Sequence, residues 1–149
     1  MKAVCRKTKG EYPLLVLPNC IYDPVSEDNF VLNVVHFTID SNQIGFCLTE
    51  NQSYEVFGML YFSNQIRYLI QDDNGIPAFL PFDLFEIADN SVCFDWEASC
   101  YYIQGEALMW IGYPVLSQSY NDFRDLFQLK REAVSQFLKY KKRIEEYSL

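Results

Sequence analysis

The residues with the most chemical potential in this sequence are carboxylates. Asp95 and Glu97 lie two apart in the stretch Val92-Cys93-Phe94-Asp95-Trp96-Glu97, which alternates apolar with polar or small residues. On a strand, residues i and i+2 share a face. Such a pair could share a proton, divide acid and base roles, or hold a cation. Among 20 acidic residues, however, a pair on a solvated face is the default arrangement. Asp72 and Asp73 precede Asn74-Gly75, where Asp simply favours a turn. The single histidine, His36, sits in an apolar run, and nothing in sequence brings it near a cysteine to form a nucleophilic pair. It reads as a structural histidine with one hydrogen-bond partner. The five cysteines (Cys5, Cys20, Cys47, Cys93, Cys100) are odd in number and lack the paired spacing of a zinc site. They read as small buried hydrophobes of a cytosolic chain. No phosphate-binding glycine loop and no Gly-x-Ser-x-Gly elbow is present. The expectation is a protein that is not an enzyme and uses no cofactor or metal.

Charge is more informative. The net value is −8, but the first ten residues carry four bases and no acid. Residues 11–118 carry 15 acids and a single base, Arg67, while residues 119–149 carry seven bases and five acids. An acidic surface repels phosphate backbones, which argues against nucleic acid as a partner. It attracts basic protein surfaces and speeds encounter with them. Acidic surfaces also serve solubility, yet so nearly complete an absence of Lys and Arg exceeds that need. No run approaches the roughly 20 apolar residues of a membrane span. Residues 1–10 are basic but lack the apolar core of a signal peptide. A cytoplasmic protein with no membrane partner is expected.

The elements that must position these groups centre on residues 48–87. Residues 54–62 form an apolar and aromatic run, 65–71 alternate, and 76–80 are apolar again, as suits half-buried strands. Asn74-Gly75 predicts a type I′ turn between the second and third runs. Pro77 and Pro81 cannot donate to a ladder, so the third strand should be short or lie at an edge. Upstream, residues 2–7 read as a strand with Ala3 and Cys5 on one face. Residues 14–17 form a short apolar run, 19–29 a loop, 30–39 a strand with apolar residues on both faces, and 44–48 lead into the central stretch. Downstream, 92–97 and 100–104 read as strands with Ala98-Ser99 between them. Gly105-Glu106 turns the chain into a very apolar strand, 107–113. From Ser119 to Tyr147 no Gly or Pro intervenes. Ser119 and Asp122 have capping-box spacing. Leu126, Leu129, Ala133, Phe137, Tyr140 and Ile144 then mark one helical face, widened by Phe123, Phe127, Val134 and Leu138. One uninterrupted helix of about 27 residues, roughly 40 Å long, is expected.

Four segments carry a resemblance. They are Met1-Lys2-Ala3-Val4-Cys5, the run Leu48-Thr49-Glu50-Asn51-Gln52-Ser53-Tyr54-Glu55-Val56, then Tyr68-Leu69-Ile70-Gln71-Asp72-Asp73-Asn74-Gly75, and Pro81-Phe82-Asp83-Leu84-Phe85-Glu86. In order and spacing they resemble small bacterial and phage SH3-like barrel proteins. Asn51 stands where that pattern has a turn glycine, and the insertion between Gly10 and Phe46 is longer than the pattern has. The resemblance covers roughly a third of the chain, and it implies a five-strand barrel-like core without implying a chemistry. In size, acidity and aromatic content, with 11 Tyr, 12 Phe and 2 Trp, the whole chain also looks like bacterial toxin-immunity proteins.

The fold expected is α+β: a curved antiparallel sheet or SH3-like barrel, an added hairpin and one long C-terminal helix. The chain forms a single domain over 1–149, with a barrel-like core and inserted loop at 1–88, added strands at 89–114 and the helix at 119–147. The leading function is an acidic binding protein of the immunity or antitoxin type that occludes a basic toxin surface. An SH3-like adaptor or phage accessory protein is the alternative, followed by an enzyme using Asp95 and Glu97. The partner-binding set is Asp72, Asp73, Asp83, Glu86, Asp95, Glu97, Tyr101, Tyr102 and Trp96, although core packing is the stronger reading of Trp96.

Overall fold

The computed structural model describes residues 1–13, 15, 17–18, 37–40 and 43–147; for residues 37–40 and 147 the backbone alone is considered. His36, Cys20 and most of the expected strand at 30–39 fall outside these residues. The described strands are β1 (Lys2–Cys5), β2 (Lys9–Gly10), β3 (Phe37–Asp40), β4 (Gln43–Phe46), β5 (Ser53–Glu55), β6 (Gly58–Phe62), β7 (Gln65–Gln71), β8 (Pro77–Pro81), β9 (Phe85–Asp89), β10 (Glu97–Ile103) and β11 (Glu106–Gly112). Two α-helices follow, α1 (Tyr120–Phe127) and α2 (Arg131–Tyr147). The fold is α+β with antiparallel sheets, as expected.

Hydrogen bonding groups the strands into three open sheets, in the orders β5-β1-β9, β10-β11-β6-β7-β8 and β2-β4-β3. Two continuous pieces of chain join the first to the second. After β5, the Val56 amide donates to the Met1 carbonyl in the first sheet, and the next amide, Phe57, donates to Leu69 in the second. After β8, a 3-10 turn at Phe82–Leu84 leads into β9. The second sheet is therefore covered on both faces near β7. Ala3, Cys5, Tyr54 and Val56 of the first sheet's side meet Tyr68 and Ile70. On the opposite face Leu60, Leu69, Phe79 and Trp110 meet Phe123, Leu126 and Phe137 of the helices. Strand alternation sorts these residues: Tyr68 and Ile70 go one way, Leu69 the other. Burial of large aromatic side chains of this kind is the main stabilising term.

Three local expectations are corrected. Asn74-Gly75 does not form a type I′ turn, because Gly75 alone has positive φ (79°). Instead the Asp72 side chain accepts hydrogen bonds from the amides of Asn74 and Ile76, and the Gly75 amide donates to the Asp72 carbonyl. Among the described residues, the two-residue turns with both φ positive are Ser63-Asn64 (53°, 60°) and Gln104-Gly105 (51°, 83°). Secondly, residues 92–96 are not a strand; the chain turns at Phe94 and Asp95, and the strand begins at Glu97. Thirdly, the long helix is broken. The Leu129 amide donates to Leu126 and the Lys130 amide to Asp125, with Leu129 at φ 57°. That is a Schellman motif with leucine in glycine's usual place. Leu129 is buried, as the apolar periodicity required, and burial holds it in a conformation that costs about 1 kcal/mol.

Other expectations are met. The proline-bounded β8 lies at a sheet edge, and Asn51 takes a positive φ (67°), which asparagine tolerates. The Ser119 hydroxyl accepts from the Asp122 amide at 3.1 Å, which caps α1. Ser119→Ala should cost about 1 kcal/mol, read as a lower urea midpoint with an unchanged slope; an unchanged midpoint would show the cap to be idle.

Candidate protein-binding face

Several carboxylates of the expected partner set are committed inside the fold. Asp72 is buried, its Oδ1 occupied by its own turn, and burial pushes its acid strength toward the neutral form. Asp73 accepts from the Tyr54 hydroxyl and the Thr49 hydroxyl, both at 2.6 Å. The Tyr54 oxygen in turn accepts from the Thr49 amide at 2.9 Å. This clasp closes the loop before β5 and commits Asp73 to the fold. Asp73→Ala should cost about 2 kcal/mol, since two bonds to a charged acceptor are lost. It should also bring the Tyr54 phenol back toward its ordinary pKa. A Tyr54 titration unmoved by the substitution would contradict the clasp.

Asp83 pairs with Lys7 at 3.6 Å and Glu86 with Arg6 at 3.0 Å, so the basic N-terminal segment neutralises both. Asp95 lies in the turn before β10 and accepts from the Tyr140 hydroxyl of α2 at 3.1 Å. Glu97 opens β10 with an exposed side chain. The strand spacing that would align Asp95 and Glu97 on one face therefore does not apply. Trp96 is half-buried against the residues between the first two sheets. Tyr101 packs on the helix side and donates to the Leu116 carbonyl at 2.6 Å. Tyr102, by contrast, is 81% exposed, and Phe94 at the preceding turn is 94% exposed.

Arg67, the one base of the acidic segment, is buried at 6% exposure. Its Nη2 donates to Pro13 O at 2.7 Å, Nη1 to Phe79 O at 3.1 Å and Nε to Gln65 Oε1 at 2.9 Å. Burial lowers its pKa to about 10, where it remains charged at neutral pH. The surface contributed by residues 11–118 thus displays acids with essentially no cation.

Tyr102 belongs to a larger feature. Cross-strand register aligns Cys100, Met109, Tyr61 and Ile66 in one row across β10, β11, β6 and β7. A second row runs Ala98, Ile111, Met59, Tyr68, and Tyr102 stands beside Ala107. These side chains share the face opposite the helices. The second row passes under the first sheet at Met59 and Tyr68, whereas Tyr61, Ile66, Met109 and Ile111 remain 40% to 53% exposed. No residue of these rows is charged. A contiguous, uncharged and exposed apolar face is the kind of feature that marks interaction surfaces. The cysteines divide likewise: Cys5 is buried, while Cys100 is exposed on this face, against the expectation of uniform burial.

Sequence reading missed this face because 107–113 is apolar on both sides, so its alternation is silent. The one available signal was the absence of charge from residues 58–62, 98–105 and 107–112, interrupted only by Glu106 in the hairpin. Compared with protein-family models, curated proteins and solved structures, the chain matches none of them. No helix among the described residues is long and apolar enough to cross a membrane.

Proposed function

We propose that this protein is a non-catalytic binding protein whose open sheet face takes a basic protein partner. The observation that carries this reading is the uncharged row Cys100-Met109-Tyr61-Ile66 with Tyr102 beside it, set in a surface whose only middle-segment cation is internal. Exposed aromatics and methionine supply the contact, with Tyr the usual anchor. The surrounding carboxylates supply attraction and on-rate. In biological terms the role is that of an immunity or antitoxin-type inhibitor acting in the cytoplasm by steric occlusion of a basic toxin surface. Nucleic acid and membrane surfaces are disfavoured as partners by the same charge.

A second reading, an SH3-like adaptor, is favoured by the chain path. β1, the bent β5–β6 strand, β7, β8 and β9 supply five strands. The bend and the 3-10 turn carry the chain between two sheets that enclose Tyr68 and Ile70. We take these strands together as an SH3-like barrel, with β10, β11 and the helices added to it.

Capture from host extract with the immobilised protein tests the reading. A basic partner should be retained at about 0.05 M salt, fall off by about 0.5 M, and be lost from Met109→Asp. Recovery of only acidic proteins or nucleic acid, or a partner indifferent to Met109→Asp, would overturn it.

A further inference from the structure

The open face ends at β10, and that strand is an edge. Its pairing with β11 runs without a bulge from Glu97↔Gly112 to Ile103↔Glu106, where the two-residue turn closes it. In an antiparallel ladder the backbone groups of alternate residues point to the partner and away from it. With Ile103 as the closing pair, Ser99, Tyr101 and Ile103 bond to β11. The amides and carbonyls of Ala98, Cys100 and Tyr102 point outward, and no described residue hydrogen-bonds to them.

Edge strands are normally blunted by proline, lysine, bulges or cover. The opposite edge, β8, has two prolines and is buried throughout. β10 (Glu-Ala-Ser-Cys-Tyr-Tyr-Ile) has none of these devices beyond Glu97. Among the described residues, residues 114–117 bond to β10 from the helix side, where the Ser117 hydroxyl donates to the Glu97 carbonyl at 3.0 Å and the Tyr101 hydroxyl donates to the Leu116 carbonyl at 2.6 Å. Among the described residues none pairs with the outer edge from Ala98 to Tyr102, and the side chains of Ala98, Cys100 and Tyr102 continue the uncharged face.

We propose that β10 accepts an extended segment of the partner as an added antiparallel strand, its apolar side chains on the shelf of Ala98, Cys100 and Tyr102 and its basic side chains toward the flanking carboxylates. This deepens the binding reading above and rests on it. Charge selects the occupant. Glu97 and Glu106 stand at the two ends of the edge, both exposed. Asp122 of α1 lies close enough to Tyr101 to add to the burial that raises its phenol. A second copy of this chain would bring a like-charged molecule of −8 to the same edge. A segment with alternating apolar and cationic residues meets the shelf with one side and the acids with the other, the usual logic of strand addition.

The test is amide hydrogen exchange read residue by residue, with a synthetic peptide of about ten residues alternating valine and lysine as probe. In the free protein Ser99, Tyr101 and Ile103 should be protected and Ala98, Cys100 and Tyr102 should exchange fast. Saturating peptide should slow those three at least about tenfold, while a valine–glutamate peptide should not. Cys100→Pro removes one outward amide without touching the ladder to β11 and should weaken peptide binding. If the peptide shifts Met109 and Tyr61 signals, and Met109→Asp abolishes this, but the three amides stay fast, strand addition fails while the binding face stands. If neither peptide nor partner responds to Met109→Asp, the binding face itself fails. Slow exchange at the three amides in the free protein would also overturn the proposal. A dependence on protein concentration would then identify a second copy as the occupant, and its absence would identify this chain itself.

Discussion

Replacing Gly112 by alanine is expected to destabilise the protein by about 3 kcal/mol or more, a large fraction of the stability of a domain. Gly112 pairs with Gly58 across β11 and β6. A Cβ on Gly112 would lie 2.3 Å from the Gly58 Cα and 2.5 Å from the Phe57 carbonyl oxygen. Neither is the end of a flexible side chain. Phe57 O already accepts the Tyr113 amide at 2.8 Å, so any retreat breaks the bond that turns the chain from β11 toward the helices. The Trp110 ring closes the same space, and a Cβ on Gly58 would lie 2.2 Å from it. Trp110 is 2% exposed and has Phe79 and Phe123 against its ring. The two glycines are thus what allows a tryptophan to lie flat over two strands. Chemical unfolding with fluorescence detection checks this; a Gly112→Ala midpoint within about 0.5 kcal/mol of the parent would overturn it.

At high pH the protein is expected to unfold cooperatively between about pH 10 and 12. Burial, aided by Asp73, pushes the Tyr54 phenol up to about 12, and burial does the same to Tyr113. Tyr140 is raised further still, by burial first and then by Asp95. In the unfolded chain all three ionise near pH 10. Across that window the folded state holds more protons than the unfolded one, so stability falls as pH rises. It is fully present below pH 10. Three withheld protons give a slope of about 4 kcal/mol per pH unit, which over two units rivals the whole stability of a domain. Phenolate absorbance and circular dichroism should change together. Tyr140→Phe should remove about a third of the slope. Gradual ionisation near pH 10 with structure retained would contradict the assignment.

How legible all this was depended on whether one residue or many decided the outcome. Alternation over β7, the continuous apolar run of β11 and the helical stripe from Phe123 to Tyr140 are sums over many side chains, and they placed the strands, the helix face and the core. The capping role of Ser119 was readable because its partner is three residues away. The misplaced features each turn on a single residue. Leu129 breaks the helix in a conformation that glycine normally takes, and its apolar character kept the stripe continuous. Asn74-Gly75 carries the composition of one turn, but the Asp72 carboxylate, bonding two amides, selects another. Asp95 and Phe94 alternate like a strand, yet Tyr140, 45 residues on, claims the Asp95 carboxylate. The binding face was the least visible, because apolar residues on both sides of a strand give no sign of which side the fold will cover.

The first strand has a consequence for the order of assembly. β1 lies between β5 and β9, with Lys2 opposite Glu55 on one side and Asp89 on the other. Its neighbours are therefore made well after it, and as synthesis proceeds from the N-terminus Ala3 and Cys5 must wait for some 80 residues before both sides are filled. Such distant pairings are slow to form, because the loop must close before any contact rewards it. β6, β7 and β8, joined by short turns, can assemble first. The nascent chain would thus carry a ready meander and a half-claimed first strand, and the free side of β1 is where a competing strand from another molecule would do most harm before β9 emerges.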